Sequence, residues 1–246
     1  MKRDWLALVF AMTYPAVMAW LYFVVLAGPP RDPASPEPPR ANPAFQAGFA
    51  AGKAVQFAFP LLFVWLVEGR RPRPGAPTFR GAGLGLTFGL LVAAAILLVY
   101  HGFLHGYLAG LGAASRVRAK VEDFGLDSPG GFLVMAVFIS AVHSLLEEYY
   151  WRWFVFGRLR HLIPVGAAAV VSGLAFMAHH VIVLAVYFPG HSQFFTTVLP
   201  FSLAVAGGGV VWAWLYHQTG SIYAPWLSHT VIDLAIMAVG YDMLFG

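Results

Sequence analysis

Apolar residues run through this chain in blocks of about twenty, separated by short polar or proline-rich stretches. Seven blocks stand out, at residues 5–27, 45–67, 82–109, 131–156, 164–188, 194–217 and 222–243. A helix of ~20 residues is what the hydrocarbon core of a bilayer demands. The blocks lack the alternation of barrel strands, and an open sheet in lipid would leave its backbone polar groups unsatisfied. The pattern predicts an all-α, polytopic membrane helix bundle of about seven transmembrane helices, with any active site inside the bundle. A break near Gly102 would divide the third block and raise the count to eight. No internal repeat is visible.

Composition agrees with that reading. Hydrophobic residues make up 59 % of the 246, charged residues 11 %, and the mean hydropathy is +0.71, where soluble domains run nearer ~25 % charged. The basic balance, net +4, sits in the loops and reads as a topology signal, not a nucleic-acid footprint. Eight basic residues fall on one side: Lys2, Arg3, Arg70, Arg71, Arg73, Arg80, Arg158 and Arg160. The other side carries five, Arg31, Arg40, Arg116, Arg118 and Lys120, diluted by acids. The positive-inside rule then places the N-terminus in the cytoplasm. The first block is longer than a signal-peptide core, so it is expected to remain as a span. Cysteine is absent, which removes disulfide and thiolate chemistry.

The chain reads as one integral-membrane domain over 1–246, with motif-free spans in 1–130 and a catalytic core in 131–246. Seven prolines between 28 and 43 predict an extended external spacer, bounded as a loop at 28–44. Arginine outnumbers lysine twelve to three, and Ala, Gly and Pro are abundant, which suggests a bacterial source and an inner-membrane location.

Polarity enters the apolar blocks at three places. The first is LLEEYYWRWF, 145–154. Glu147 and Glu148 lie inside a span, where each ionised carboxylate costs about 2.5–3.5 kcal/mol on insertion scales. Glu148 and Arg152 are spaced i, i+4 with the acid first, the favourable order for an ion pair. Glu147 points about 100° away and is left free for chemistry, with His143 and Trp151 on its face. The second place is GLAFMAHHV, 173–181, where Phe176 and His180 are i, i+4 and His179 is expected to project elsewhere. The third is TGSIYAPWLSHTVIDLA, 219–235, where His229 and Asp233 share a face and a hydrogen bond between them would select the imidazole tautomer.

A carboxylate and two histidines converging from three helices make a site for activating water, with or without a metal. By ligand type, Glu147, His180 and His229 could bind Zn²⁺ with a position left open for water. An internal ion pair that only pins helices together is the structural alternative. Depth along ideal helices puts Glu147 ~14 Å from Phe156 and His229 ~11 Å from Ile222, but His180 ~24 Å from Pro164, a mismatch that tilt or overhang must absorb. Two rival classes remain at this point. His101 and His105, also i, i+4, admit a haem-binding membrane protein, and the buried Glu and His groups admit a transporter or channel.

EEYYWR (147–152) fits EExxxR, FMAHH (176–180) fits FxxxH, and HTVID (229–233) fits Hxxx(N/D). In that order on successive helices, over about residues 131–235, they resemble the CAAX protease and bacteriocin-processing (CPBP) family. The TGS before the last span and the GGG at 207–209 are similar to that family too. The resemblance implies an intramembrane endopeptidase that hydrolyses a peptide bond of a membrane-anchored protein or peptide, with C-terminal processing the expected outcome. It implies Glu147 as general base, His180 as its partner, and His229 with Asp233 on the oxyanion side. Glu148, Arg152, Phe176 and His143 would be supporting. Two departures stand out: Trp153 follows the arginine where glycine is common, and Asp233 stands where Asn would donate a hydrogen bond. An ionised Asp233 would repel an oxyanion, so either it is protonated or it acts indirectly by orienting His229.

Overall fold

The computed structural model describes residues 2–26, 42–73 and 78–246. The proline-rich spacer expected at 28–43 therefore lies outside the described residues except at Asn42 and Pro43. Seven helices are long and apolar enough to cross a membrane: α1 (Lys2–Val25), α2 (Pro43–Val67), α3 (Ala82–Gly110), α5 (Pro129–Leu159), α6 (Val165–Tyr187), α7 (His191–Thr219) and α8 (Tyr223–Phe245). Between α3 and α5 lies a short helix, α4 (Ala113–Asp123). No strand occurs among the described residues.

Successive helices run in alternate directions, and each end of the bundle is tied by its own polar contacts. At the end where α2 finishes and α3 begins, Arg158 donates to Glu68 at 2.6 Å, Trp153 Nε1 to the Arg73 carbonyl at 3.0 Å, and Ser221 Oγ to the Thr78 carbonyl at 2.8 Å. At the other end Tyr100 OH donates to Asp242 at 2.7 Å, and Gln46 donates to the Asp123 carbonyl at 3.1 Å. The large exposed side chains, such as Leu98, Phe103, Leu91 and Val134, form the belt that lipid would cover.

The third span is single. Gly102 lies in a wide π turn, Tyr100–Leu104, that keeps α3 continuous, so among the described residues seven helices, not eight, are long and apolar enough to cross a membrane. The helix α4 was not foreseen, because eleven residues rich in charge do not register in a search for long apolar runs. Ala113 and Val121 bury its inner face. Arg116 donates to the carbonyls of Leu111 and Tyr187, and Arg118 donates to that of Leu244, so α4 straps the ends of three spans together.

Small residues let the core helices approach closely, the usual means of association where lipid is as apolar as the side chains. A Cβ at Gly89 would lie 2.9 Å from the Ser228 carbonyl oxygen, which locks α3 against α8 one residue before His229. A Cβ at Gly173 would lie 2.8 Å from the Ala206 carbonyl oxygen, and one at Gly209 would lie 3.1 Å from Gly173 Cα. Of the glycines at 207–209, Gly209 thus serves the α6–α7 contact. Helix α5 starts on an N-cap, with the Ser128 hydroxyl accepting from Gly131 N–H at 3.1 Å and Pro129 at the first position. Two π segments, Phe138–His143 and Tyr149–Phe156, flank the α-helical turn that carries the paired glutamates. Such wide turns often mark functional positions.

Candidate active site

The two adjacent glutamates of α5 are both buried and face different partners. Each oxygen of Glu148 has a close partner. Arg152 Nε lies 3.1 Å from its Oε2, and His229 Nδ1 lies 2.9 Å from its Oε1. The Arg152 guanidinium is held between the rings of Phe176 and Trp212, 5.0 Å from each centroid. The acid and the two aromatic faces offset part of the cost of burying this cation, whose nitrogens make no hydrogen bond among the described residues.

Glu147 is surrounded but not bonded. Its Oε1 lies 3.7 Å from His179 Nε2 and 3.9 Å from His143 Nε2, and its Oε2 lies 3.8 Å from His229 Nε2. All three separations exceed a direct hydrogen bond. Oε1 is buried with no hydrogen-bond partner among the described residues. Three imidazoles on α5, α6 and α8 therefore ring one carboxylate, close enough to share a small molecule with it.

The sequence expected His180 to be the imidazole from α6, but the structure brings His179 closer to Glu147. His179 faces Glu147, while His180 Nδ1 lies 3.1 Å from the Phe176 carbonyl on its own helix and brings neither nitrogen within ion-pair distance of Glu147. The i, i+4 spacing does bring the Phe176 and His180 rings together, at 4.7 Å. Phe176 also borders His179, His229, Trp151 and Trp212, so it is the apolar hub of the site. His179 lies parallel to Trp151 at 6.2 Å, which fixes its ring plane. The observed helix ends remove most of the depth mismatch: Glu147 is ~18 Å from Leu159 and His179 ~21 Å from Val165 at 1.5 Å per residue.

His229 is the best-oriented imidazole. Trp212 stacks on it at 4.0 Å and 19°, and Trp212 Nε1 donates to Ser228 Oγ at 3.0 Å. Asp233 Oδ2 lies 3.6 Å from Nε2, so the expected His229–Asp233 hydrogen bond is not formed. The closer partner is Glu148, 81 residues away in the chain and hidden from any single-helix argument.

Sequence reasoning missed Trp212, His179 and Lys53. Trp212 carried no signal, being one tryptophan of eight in an apolar run. Lys53 did carry one, a cation in the middle of the second apolar block.

The residues proposed for a metal do not fit one. Glu147, His180 and His229 are not gathered as donors. Among the described residues no three His, Cys, Asp or Glu side chains are arranged to hold a metal ion. His101 and His105 are exposed at the rim of α3, with His105 Nε2 directed to Asp242 at 3.9 Å, so they enclose no haem pocket.

No curated protein and no solved structure matches the chain. One family model does, over residues 129–235, from the start of α5 through Asp233. Over that segment, which is less than half of the chain, the sequence is similar to the Type II CAAX prenyl endopeptidase Rce1-like family.

Proposed function

We propose that this protein is an intramembrane endopeptidase in which Glu147 activates water against a peptide bond near the C-terminus of a membrane-anchored substrate. The observation that carries the reading is the unbonded carboxylate of Glu147 inside its ring of imidazoles. A water seated beside Oε1 can reach both the carboxylate and His179 at hydrogen-bond distance, which is the geometry general-base catalysis needs. As Glu147 takes the proton, the water oxygen attacks the scissile carbonyl carbon. Glu147, or His179 beside it, returns the proton to the leaving amine.

The developing oxyanion needs a donor. His229 commits one ring nitrogen to Glu148, whose carboxylate accepts, so Nδ1 carries a proton. In the imidazolium form Nε2 carries a second proton, directed into the ring of groups around Glu147. Trp212 lies flat on that ring, and a cation on an aromatic face is favoured there. Held this way, the donor needs no reorganisation during the reaction, which is where electrostatic catalysis gains most. Asp233 faces Nε2 from outside hydrogen-bond range, and its contribution is to the field at His229, not to the oxyanion directly.

The test is cleavage by protein reconstituted in liposomes with a lipid-anchored peptide. Wild type cuts and Glu147→Gln does not, while the variant inserts and purifies as wild type does. Cleavage retained in Glu147→Gln would end the proposal, and solute flux without cleavage would favour a transport protein. Membrane proteomes compared with and without the gene would identify the substrate as the protein that keeps its C-terminal segment.

A further inference from the structure

Lys53 is a charge inside a membrane span that the peptidase chemistry leaves unused. It lies near the middle of α2, in a stripe with Phe49 and Phe57 at i, i+4 spacing, and its Nζ is 5.7 and 5.5 Å from those two rings. The stripe faces the bundle interior. Phe57 meets His143 edge-on at 6.0 Å and Tyr150 at 6.3 Å, and His143 is the imidazole 3.9 Å from Glu147. The ammonium is near enough for its charge to act on Glu147, His143 and His179.

Other cations of the protein hold acids: Arg152 holds Glu148, Arg158 holds Glu68, and Lys120 holds Asp123. Among the described residues Lys53 has no acid within ion-pair distance. Three residues on, Gln56 is buried with its Nε2 lacking a hydrogen-bond partner among the described residues. Two donors on one helix, one charged, thus lack an acceptor among the described residues. Lys53 is half-buried.

We propose that Lys53 anchors the free α-carboxylate at the substrate's C-terminus, a role that rests on the endopeptidase reading above. A carboxylate supplies the charge and acceptor oxygens that this ammonium lacks, and charge-assisted hydrogen bonds are the strong ones.

Binding can be measured without cleavage by using the Glu147→Gln protein in detergent. The probe is a fluorescent peptide ending in S-prenylated Cys-Val-Ile-Met, prepared as free acid and as C-terminal amide. The free acid should bind on the order of tenfold more tightly, as expected for a hydrogen bond to a charged group. That ratio should fall to near one when Lys53→Met is added, and persist within a few-fold with Lys53→Arg, which keeps the charge. Equal binding of the two forms, whether tight or absent, overturns the proposal, as does an acid preference that survives Lys53→Met. So does an amide peptide with an internal Asp that binds as tightly as the free acid. Cleavage of the same peptides by wild type tests the endopeptidase reading separately: acid preference without cleavage would sink that reading and leave the anchor standing.

Discussion

Glu147 and Glu148 are neighbours in the chain and opposites in their surroundings. Glu148 sits on the closed side of α5, where Arg152 and His229 each bring a nitrogen to within 3.1 Å of one of its oxygens. Glu147 sits on the other, open side, where no imidazole nitrogen approaches closer than 3.7 Å. The closed side ties α5 to α8 directly and to α7 through Arg152 and Trp212. Burial does not distinguish the two acids, because both are buried. What separates them is how closely their cationic and imidazole partners approach.

The sharpest way to break this contrast is to neutralise each acid in turn. Glu147→Gln should lower kcat by about 10²–10⁴-fold, the span attributed to general acid–base catalysis, with little change in thermal stability. Glu148→Gln should act through the fold. It leaves Arg152 buried without its acid, and breaking one member of a buried pair costs about 3–5 kcal/mol. Thermal denaturation in detergent, run beside a cleavage assay, separates the two outcomes. Equal stability losses in both variants would mean that the two sides of α5 do not differ as described.

The adjacent histidines give a smaller version of the same contrast. His179→Ala removes the imidazole that faces Glu147 and should lower kcat by about 10²-fold, at the lower end of the acid–base range. His180→Ala removes a ring bound to its own helix backbone and should change kcat far less. The reverse order would restore His180 as the partner that the FxxxH pattern names.

That pair also shows where the sequence stops being informative. The spans were legible, since hydropathy fixes their length directly: block 82–109 became Ala82–Gly110 and block 222–243 became Tyr223–Phe245. The Glu148–Arg152 contact was legible too, because i, i+4 neighbours meet on any helix. Choosing between His179 and His180 was not. One residue is about 100° of rotation, and the azimuth of α6 is set by the close approach at Gly173 to Ala206 on another helix. The Glu148–His229 bond likewise belongs to the packing of α5 on α8, which no periodicity within one helix reveals. Lys53 went unread for another reason: its block carries no recognisable motif, and its meaning appears only once Phe57 is seen against His143.

Trp212 ties the closed side to the open one, since it stacks on both Arg152 and His229. Trp212→Phe keeps an aromatic face but loses the Nε1–H donated to Ser228. The stack and the hydrogen bond are each worth about 0.5–1.5 kcal/mol, so a moderate loss of stability is expected. Activity should fall with it by about tenfold or less, because His229 would keep Glu148 while losing part of its lateral restraint. A loss as large as that of Glu147→Gln would show that His229 orientation depends on Trp212 more than on Glu148.

Asp233 should give the smallest effect. A residue that donated directly to the oxyanion would be missed by about 10²–10³-fold in kcat. Asp233 carries a carboxylate where a donor would be needed, and it stands 3.6 Å from His229 Nε2, beyond a hydrogen bond. Asp233→Asn preserves shape, removes the acid and introduces an amide that can donate. If Asp233 acts only through the field at His229, the variant should keep kcat within about tenfold, with the amide offsetting part of the lost charge. A rise in kcat would show that the native carboxylate opposes the oxyanion, and a fall comparable to that of His179→Ala would move Asp233 from the periphery of the open side into its chemistry.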